Sequence, residues 1–273
     1  MNETELVFTE ILNCNRASLY LDKNLRWDKG KSIAVSSVIK RRISGEPLQY
    51  IFGKTEFMGL EFKVTQDVLI PRQETEILVE EVIKLVESLG PAVCNTEVLD
   101  MGTGSGCIAI SLAKLLPQIK MHAVDISTKA LKVAQGNART NRVDVNFILS
   151  DLFNSCALKP NGYDIIISNP PYIPSAEIDN LEAEVKCQPA IALDGGQDGL
   201  DFYRRIICDS HSYLRQNGFL IMEIGFNQIE AIKNIFMYSP NFKITEVTKD
   251  YSQIERIIVA KKMEPARDKS RGS

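Results

Sequence analysis

The chain has 273 residues, 44% of them apolar and 25% charged, with a formal net charge of −3. This composition excludes a low-complexity or fibrous chain, leaves room for one large domain plus a small one, and supplies no global basic field for gathering nucleic acid. The six cysteines (Cys14, Cys94, Cys107, Cys156, Cys187 and Cys208) are scattered without a C-x-x-C pair, which argues against a zinc site or a disulfide framework and suits the cytoplasm.

The first 54 residues read as a small domain of short helices. Leu6, Phe8, Ile11 and Leu12 form one apolar stripe, and Ile33, Val35, Val38 and Ile39 another. Pro47 helps to stop the last helix. The run Lys40-Arg41-Arg42 reads as a favourable helix end facing solvent. The acidic start is unlike an organellar presequence, and no stretch resembles a signal peptide or a membrane helix. Residues 55–72 alternate and carry Gly59, as a hairpin linker would. A larger domain is expected over 73–262, followed by a disordered tail over 263–273.

Pro71-Arg72-Gln73-Glu74-Thr75-Glu76 opens a helix expected to run to about Leu89; Glu74 or Thr75 as a plain cap is one reading, and the functional one puts this loop over the cofactor near its methionine end. Glu97 to Met101 then reads as a strand, Gly102-Thr103-Gly104-Ser105-Gly106 as a tight loop, and Cys107 to Ala113 as the start of a helix. Strand, glycine loop and helix make a nucleotide-binding turn, because glycines let a ligand approach the backbone. The spacing is G-x-G-x-G rather than the dinucleotide G-x-G-x-x-G, and no Lys-Ser or Lys-Thr follows, so a P-loop is excluded. A second strand, Met121 to Asp125, ends in an acid about 20 residues after the glycines, the offset at which a carboxylate meets ribose hydroxyls. A third, Val145 to Leu149, leads to Asp151, Leu152 and Phe153: a carboxylate for an adenine amino group and an apolar side chain for its ring.

The run Tyr163 to Ser168 reads as a buried parallel strand, and Asn169-Pro170-Pro171-Tyr172 follows at its carboxyl end, where open α/β sheets place ligands. Two prolines stiffen the turn and remove two N–H donors. What remains is the Asn169 side-chain oxygen, nearby carbonyls and an aromatic ring, a set suited to a planar –NH2 group. The plain alternative is a proline-rich turn. Taken with the glycine loop, Asp125 and Asp151, the motif completes an adenosine pocket without a pyrophosphate cradle, which favours S-adenosylmethionine over NAD. The long connection Ile173 to Asp198 reads as a lid with a short helix over Ile178 to Val185. Helices near 199–216 and Asn227 to Met237, and strands Gly218 to Ile224, Phe242 to Thr248 and Arg256 to Ala260, complete the chain. His122 and His211 read as structural, and no metal is expected.

The chain resembles the HemK/PrmC family, protein-glutamine N5-methyltransferases that modify peptide chain release factors. The resemblance runs to about Lys262. It rests on Gly45-Glu46-Pro47-Leu48-Gln49-Tyr50-Ile51, on Leu69 to Glu76, on Val98 to Gly106, on Ser168 to Ile173 and on Ala192 to Leu200. It implies an α/β fold: a seven-stranded, Rossmann-like class I methyltransferase sheet ending in an antiparallel hairpin, with a small helical domain in front for substrate docking. It implies methyl transfer from S-adenosylmethionine to the glutamine of a Gly-Gly-Gln sequence. In that reading Gly102, Thr103, Gly104, Ser105, Gly106, Asp125, Asp151, Leu152 and Asn169 hold the cofactor. The substrate is bound by Asn169, Pro170, Pro171 and Tyr172 together with Arg72 and Glu74. Asn169, Pro170 and Tyr172 are the expected catalytic residues.

Three positions depart from the family pattern: Gln73 replaces a second proline, Gln188 stands where Glu is usual, and Asp250 to Arg256 lacks a glycine. Three rival functions stand beside this one: a base-amino methyltransferase on DNA or RNA, a cofactor-binding module without catalysis, and a nicotinamide-dependent oxidoreductase, which the glycine spacing disfavours. The chain also carries its own Gly195-Gly196-Gln197, which reads first as a turn after the lid and second as a pseudosubstrate.

Overall fold

The computed structural model describes residues 2–88, 90 and 95–264. The tail from 265 onward, the end of the helix read to Leu89, and Cys94 lie outside the described residues.

Four helices open the chain: α1 (Glu3–Leu12), α2 (Arg16–Leu21), α3 (Lys29–Ile43) and α4 (Leu48–Phe52). Their starts are set by side-chain caps. Asn2 and Glu5 form a reciprocal capping box on α1, Asn15 accepts from Ser18 N–H, and Asp28 accepts from Lys31 N–H. Val7, Val38 and Leu48 make a small core, with Leu6, Ile11 and Val35 packed beside it. Ile33 and Ile39, placed in an apolar stripe by spacing, are exposed instead. A helix of this width buries only one side here, and Val35 and Val38 occupy it. The basic run ends α3, with Lys40 and Arg41 exposed as expected, and its two arginines are held in ion pairs. Arg41 pairs with Glu46, and Arg42 bridges Glu3 and Glu184.

A hairpin, β1 (Lys54–Phe57) and β2 (Leu60–Lys63), turns at Met58-Gly59. It docks on the later helices through Asn137, which exchanges hydrogen bonds with Lys63 N–H and C=O. Then follow α5 (Glu74–Ser88), β3 (Glu97–Met101), α6 (Cys107–Leu115), β4 (Lys120–Asp125), α7 (Thr128–Asn141), β5 (Asn146–Leu149) and β6 (Tyr163–Ser168). After the lid with its one-turn α8 (Ala183–Lys186) come α9 (Asp201–Tyr213), β7 (Leu214–Glu223), α10 (Ile229–Met237), β8 (Phe242–Lys249) and β9 (Glu255–Lys262).

Seven strands form one sheet in the order β5-β4-β3-β6-β7-β9-β8. The first five pair in parallel, and β9 runs antiparallel to β7 and β8. Period-two alternation sends successive residues to opposite faces. On one face Val98, Ile165, Ile167 and Ile221 pack under α5 and α6. On the other Leu99, Ile166, Leu220 and Met222 pack under α9 and α10. β4 and β5 lie on one side of β3, while β6 and β7 lie on the other. The order therefore reverses between β3 and β6 and opens a crevice at their carboxyl ends.

Candidate active site

That crevice holds most of the residues singled out by sequence. One pocket is lined by Gly102, Gly104, Asp125, Asp151, Leu152 and Asn169, together with Pro170 and Pro171. A smaller pocket beside it is lined by Arg72, Tyr172, Asn169 and Pro170. Leu69, Asn169, Pro170 and Ala192 line both, and of these Asn169 and Pro170 carry the polar acceptors at the boundary between the two spaces.

The glycine loop is built for a ligand at its outer positions and for packing at its inner ones. A Cβ at Gly102 or Gly104 would meet no protein atom within 4 Å. A Cβ at Gly106 would stand 2.7 Å from Ile110 Cδ1 and 3.1 Å from Ala134 Cβ. Thr103 and Ser105 are buried beneath the loop rather than facing the pocket. The Thr103 hydroxyl donates to Asp100 Oδ2 at 2.6 Å. Burial pushes Asp100 up to about 7, against the pull of that hydroxyl.

Asp125 ends β4, and its two oxygens accept from Gly104 N–H and Ser127 N–H, each at 2.8 Å. Burial raises its pKa, and those N–H groups oppose the shift. Each oxygen keeps a free lone pair for a ribose hydroxyl. Asp151 is differently placed from the simple expectation, because both its oxygens accept from Arg205 of α9 at 2.8 Å. An adenine amino group would share this carboxylate with a guanidinium. Leu152 holds φ at +48°, a left-handed conformation unusual for leucine, and its carbonyl accepts from the Ser150 hydroxyl at 2.7 Å. Backbone strain of this kind concentrates at ligand sites.

Asn169 follows β6. Its Nδ2 donates to Thr75 Oγ1 at 3.0 Å, and the Thr75 hydroxyl donates to Glu223 Oε2 at 2.7 Å. Thr75, read from sequence as a possible helix cap, turns instead toward the site. Glu223 closes β7 and is buried, which pushes its carboxyl up to about 7. Glu223 was not singled out from the sequence, and Thr75 was named only within the loop that opens α5. The available signal was an acid directly after the apolar run Phe219 to Met222. Burial also pushes the Tyr172 phenol up to about 12.

The Tyr172 turn is clamped from outside. Gln228 Nε2 donates to its carbonyl at 2.9 Å, and a Cβ on Gly195 would stand 2.8 Å from its Cα. Gly195 N–H donates to Ile173 O at 2.8 Å. Close approach thus accounts for Gly195 as part of a turn after the lid, while Gln197 is exposed and lines neither pocket. The Arg72 guanidinium makes no hydrogen bond or ion pair with the described residues, while its backbone carbonyl accepts from Thr75 N–H at 3.2 Å. Glu74 is exposed in the first turn of α5 and lines neither pocket. The lid is anchored at Gln188, whose Oε1 accepts from Ile70 N–H at 3.1 Å, so the residue that replaces the usual Glu serves as a latch.

The open cradle over Gly102 and Gly104, the acceptor carboxylate of Asp125 and the strained Leu152 fit S-adenosylmethionine. Among the described residues no group of three or more His, Cys, Asp or Glu could hold a metal ion.

Comparison with known proteins follows the same division. A PrmC N-terminal domain matches residues 1–53, and a methyltransferase small domain matches residues 75–190. The chain is 38% identical to the release factor glutamine methyltransferase of Thermodesulfovibrio yellowstonii, over 96% of this chain and 92% of the relative. It is 40% identical to that of Koribacter versatilis, over 94% and 90%. Among solved structures, the hMettl16 catalytic domain in complex with MAT2A 3′UTR hairpin 1 superposes with a TM-score of 0.60 at 19% identity, over 92% of this chain and 90% of that one. A methyltransferase from Pyrococcus furiosus superposes with a TM-score of 0.54 at 14% identity, over 84% and 100%. At these identities the likeness is one of fold.

Proposed function

We propose, from the premise that this chain belongs to the release factor glutamine methyltransferases, that it methylates the side-chain nitrogen (N5) of the glutamine in the Gly-Gly-Gln motif of class-one peptide chain release factors, and so modulates translation termination. The methyl donor is S-adenosylmethionine. The observation that carries the reading is the placement of Asn169 and Pro170 on the boundary between the glycine-loop pocket and the Tyr172 pocket.

S-adenosylmethionine supplies an electrophilic methyl group when bound. In this reading the Gly102–Gly106 loop takes its open face against the donor, Asp125 accepts from the ribose hydroxyls, and Asp151 and Leu152 flank the adenine. On the other side, the Asn169 amide N–H is spent on Thr75, and its Oδ1 is left to accept. Asn169 Oδ1 and the Pro170 carbonyl take the two N–H bonds of the substrate glutamine. Tyr172 packs on the amide plane, and Pro171 stiffens the turn between them. A glutamine nitrogen is a poor nucleophile because its lone pair is delocalised into the carbonyl. Aiming that nitrogen and stabilising the positive charge it gains are therefore the main tasks. The Arg72 guanidinium, which bonds to none of the described residues, is placed to donate to substrate carbonyls, and Glu74 stands at the rim. Residues 1–54 would dock the release factor, and residues 73–262 would carry the transfer.

The acceptor is a protein, and neither nucleic acid nor a membrane is needed. The net charge is −3, and among the described residues no helix is long and apolar enough to cross a membrane. A release-factor substrate places the work in the cytoplasm. The test is methyl transfer from labelled donor to purified release factor, with the acceptor located by mass mapping. Label on the Gly-Gly-Gln glutamine is expected. Label on DNA or RNA alone would overturn the substrate, and donor binding without transfer would leave a binding module. Asn169→Ala should lower kcat by on the order of 10² while leaving donor affinity within a few-fold.

A further inference from the structure

Two buried polar side chains from different elements, Thr75 and Glu223, meet behind the half-buried Asn169, the proposed acceptor. Glu223 ends β7, Thr75 lies in the first turn of α5, and Asn169 follows β6. Glu223 and Thr75 are each only 2% exposed. A threonine hydroxyl has one hydrogen, and here it goes to Glu223 Oε2 at 2.7 Å. Thr75 therefore faces Asn169 with lone pairs alone, and only the –NH2 edge of the Asn169 amide can meet it, as it does at 3.0 Å. A flipped amide would set Oδ1 against the Oγ1 lone pairs.

We infer that Glu223, acting through Thr75, is the positioning residue that holds the Asn169 amide with its oxygen toward the substrate nitrogen and places a negative charge behind it. The inference rests on the reading of Asn169 as the acceptor of the substrate amide. An ionised Glu223 can only accept, so the chain of hydrogen bonds has one direction. A protonated Glu223 can donate to Thr75, which frees the threonine hydrogen for Asn169 Oδ1 and removes the preference for the productive orientation.

The groups facing Glu223 are Thr75 and Glu74 from α5, Cys107 from α6, Asn169 and Tyr172 after β6, Tyr203 from α9 and Arg256 from β9. Burial is the largest influence on Glu223 and raises its pKa to about 7; Glu74 adds to the rise, and the Thr75 hydroxyl, Arg256 and the Asn169 amide pull the other way. Its ionisation then falls inside the range where enzymes are assayed.

The experiment measures kcat, KM for release factor and donor affinity from pH 6 to 9 for wild type, Glu223→Gln, Thr75→Val and Thr75→Ser. Glu223→Gln and Thr75→Val should lower kcat roughly 10-fold or more, the scale of a lost charge-assisted hydrogen bond. Donor affinity should stay within about three-fold, because neither residue lines the glycine-loop pocket. Thr75→Ser keeps the hydroxyl and should recover most of kcat. The wild-type rise in kcat through about pH 7 should be lost in Glu223→Gln. Asp100 titrates in the same range, but that limb is common to both proteins, so the difference between the profiles reports Glu223. If Glu223→Gln and Thr75→Val match wild type in kcat and pH profile while Asn169→Ala is impaired, the inference fails and the acceptor reading stands. If wild type itself transfers nothing to release factor, both fail.

Discussion

The three glycines of the loop after β3 have different jobs, and alanine substitution separates them. Gly104 holds φ at +55° over open space, whereas Gly106 holds φ at +83° against packed neighbours. A left-handed conformation costs a non-glycine residue about 1 kcal/mol or slightly more. At Gly104 that is the whole protein-internal cost. At Gly106 the added methyl also meets Ile110 Cδ1 at 2.7 Å and Ala134 Cβ at 3.1 Å, where α6 crosses α7. Ile110 is fully buried and Ala134 belongs to a helix, so neither yields freely. Overpacking of this sort adds about 1–3 kcal/mol. Gly106→Ala should therefore lose about 2–4 kcal/mol in urea unfolding, and Gly104→Ala about 1 kcal/mol. Calorimetry with S-adenosylmethionine should show the reverse emphasis. Gly104→Ala fills the ligand's space and should weaken binding by on the order of 10-fold or more. Greater destabilisation from Gly104→Ala than from Gly106→Ala would refute the division of roles, as would undiminished donor affinity in Gly104→Ala.

Other substitutions test other joints. Asp125→Asn turns an amide –NH2 toward either the Gly104 or the Ser127 N–H, and donor affinity by calorimetry should fall roughly 10-fold or more. The Tyr50 hydroxyl donates to Val68 O at 2.6 Å in a buried contact between α4 and the segment after the hairpin. Tyr50→Phe leaves that carbonyl without its donor and should cost about 1–2 kcal/mol by urea unfolding. The folded pKa of Glu223, about 7, lies above its ordinary value of 4.5. The folded state therefore retains the proton longer than the unfolded chain, and the carboxyl's contribution to stability falls as pH rises from about 4.5 to about 7, then levels off. That difference corresponds to roughly 3 kcal/mol. Glu223→Gln should gain stability relative to wild type across this window, and unfolding midpoints that keep a constant difference from pH 4 to pH 8 would contradict it.

Much of the site was legible because its parts are local. The G-x-G-x-G loop, the acid ending β4 and the Asn-Pro-Pro-Tyr turn each occupy a few consecutive residues, and each sits at a strand end marked by an apolar run. The strand order could not be read that way, although alternating strands and helices with a final hairpin already implied a mostly parallel sheet. Spacing also misjudged α3. Ile33 and Ile39 fit an apolar stripe but lie exposed, since periodicity shows that a face is apolar without showing that anything covers it. The basic run at the end of the same helix read as facing solvent, as Lys40 and Arg41 do, while Arg42 spans Glu3 and Glu184, residues far apart in the chain.

The contacts that orient the site belong to the tertiary structure alone. Thr75 and Glu223 are 148 residues apart, and their hydrogen bond exists only because α5 crosses the carboxyl end of β7. Asp151 meets Arg205 because α9 packs over the same strand ends. Gln188 reaches Ile70 because the lid folds back over the segment after the hairpin. The sequence by itself determined the elements, the chemistry at the strand ends and the family, because periodicity, glycine and proline act within a few residues. Which buried donor meets which acceptor was decided by packing, because a buried polar group must be satisfied by whatever neighbour the fold brings to it.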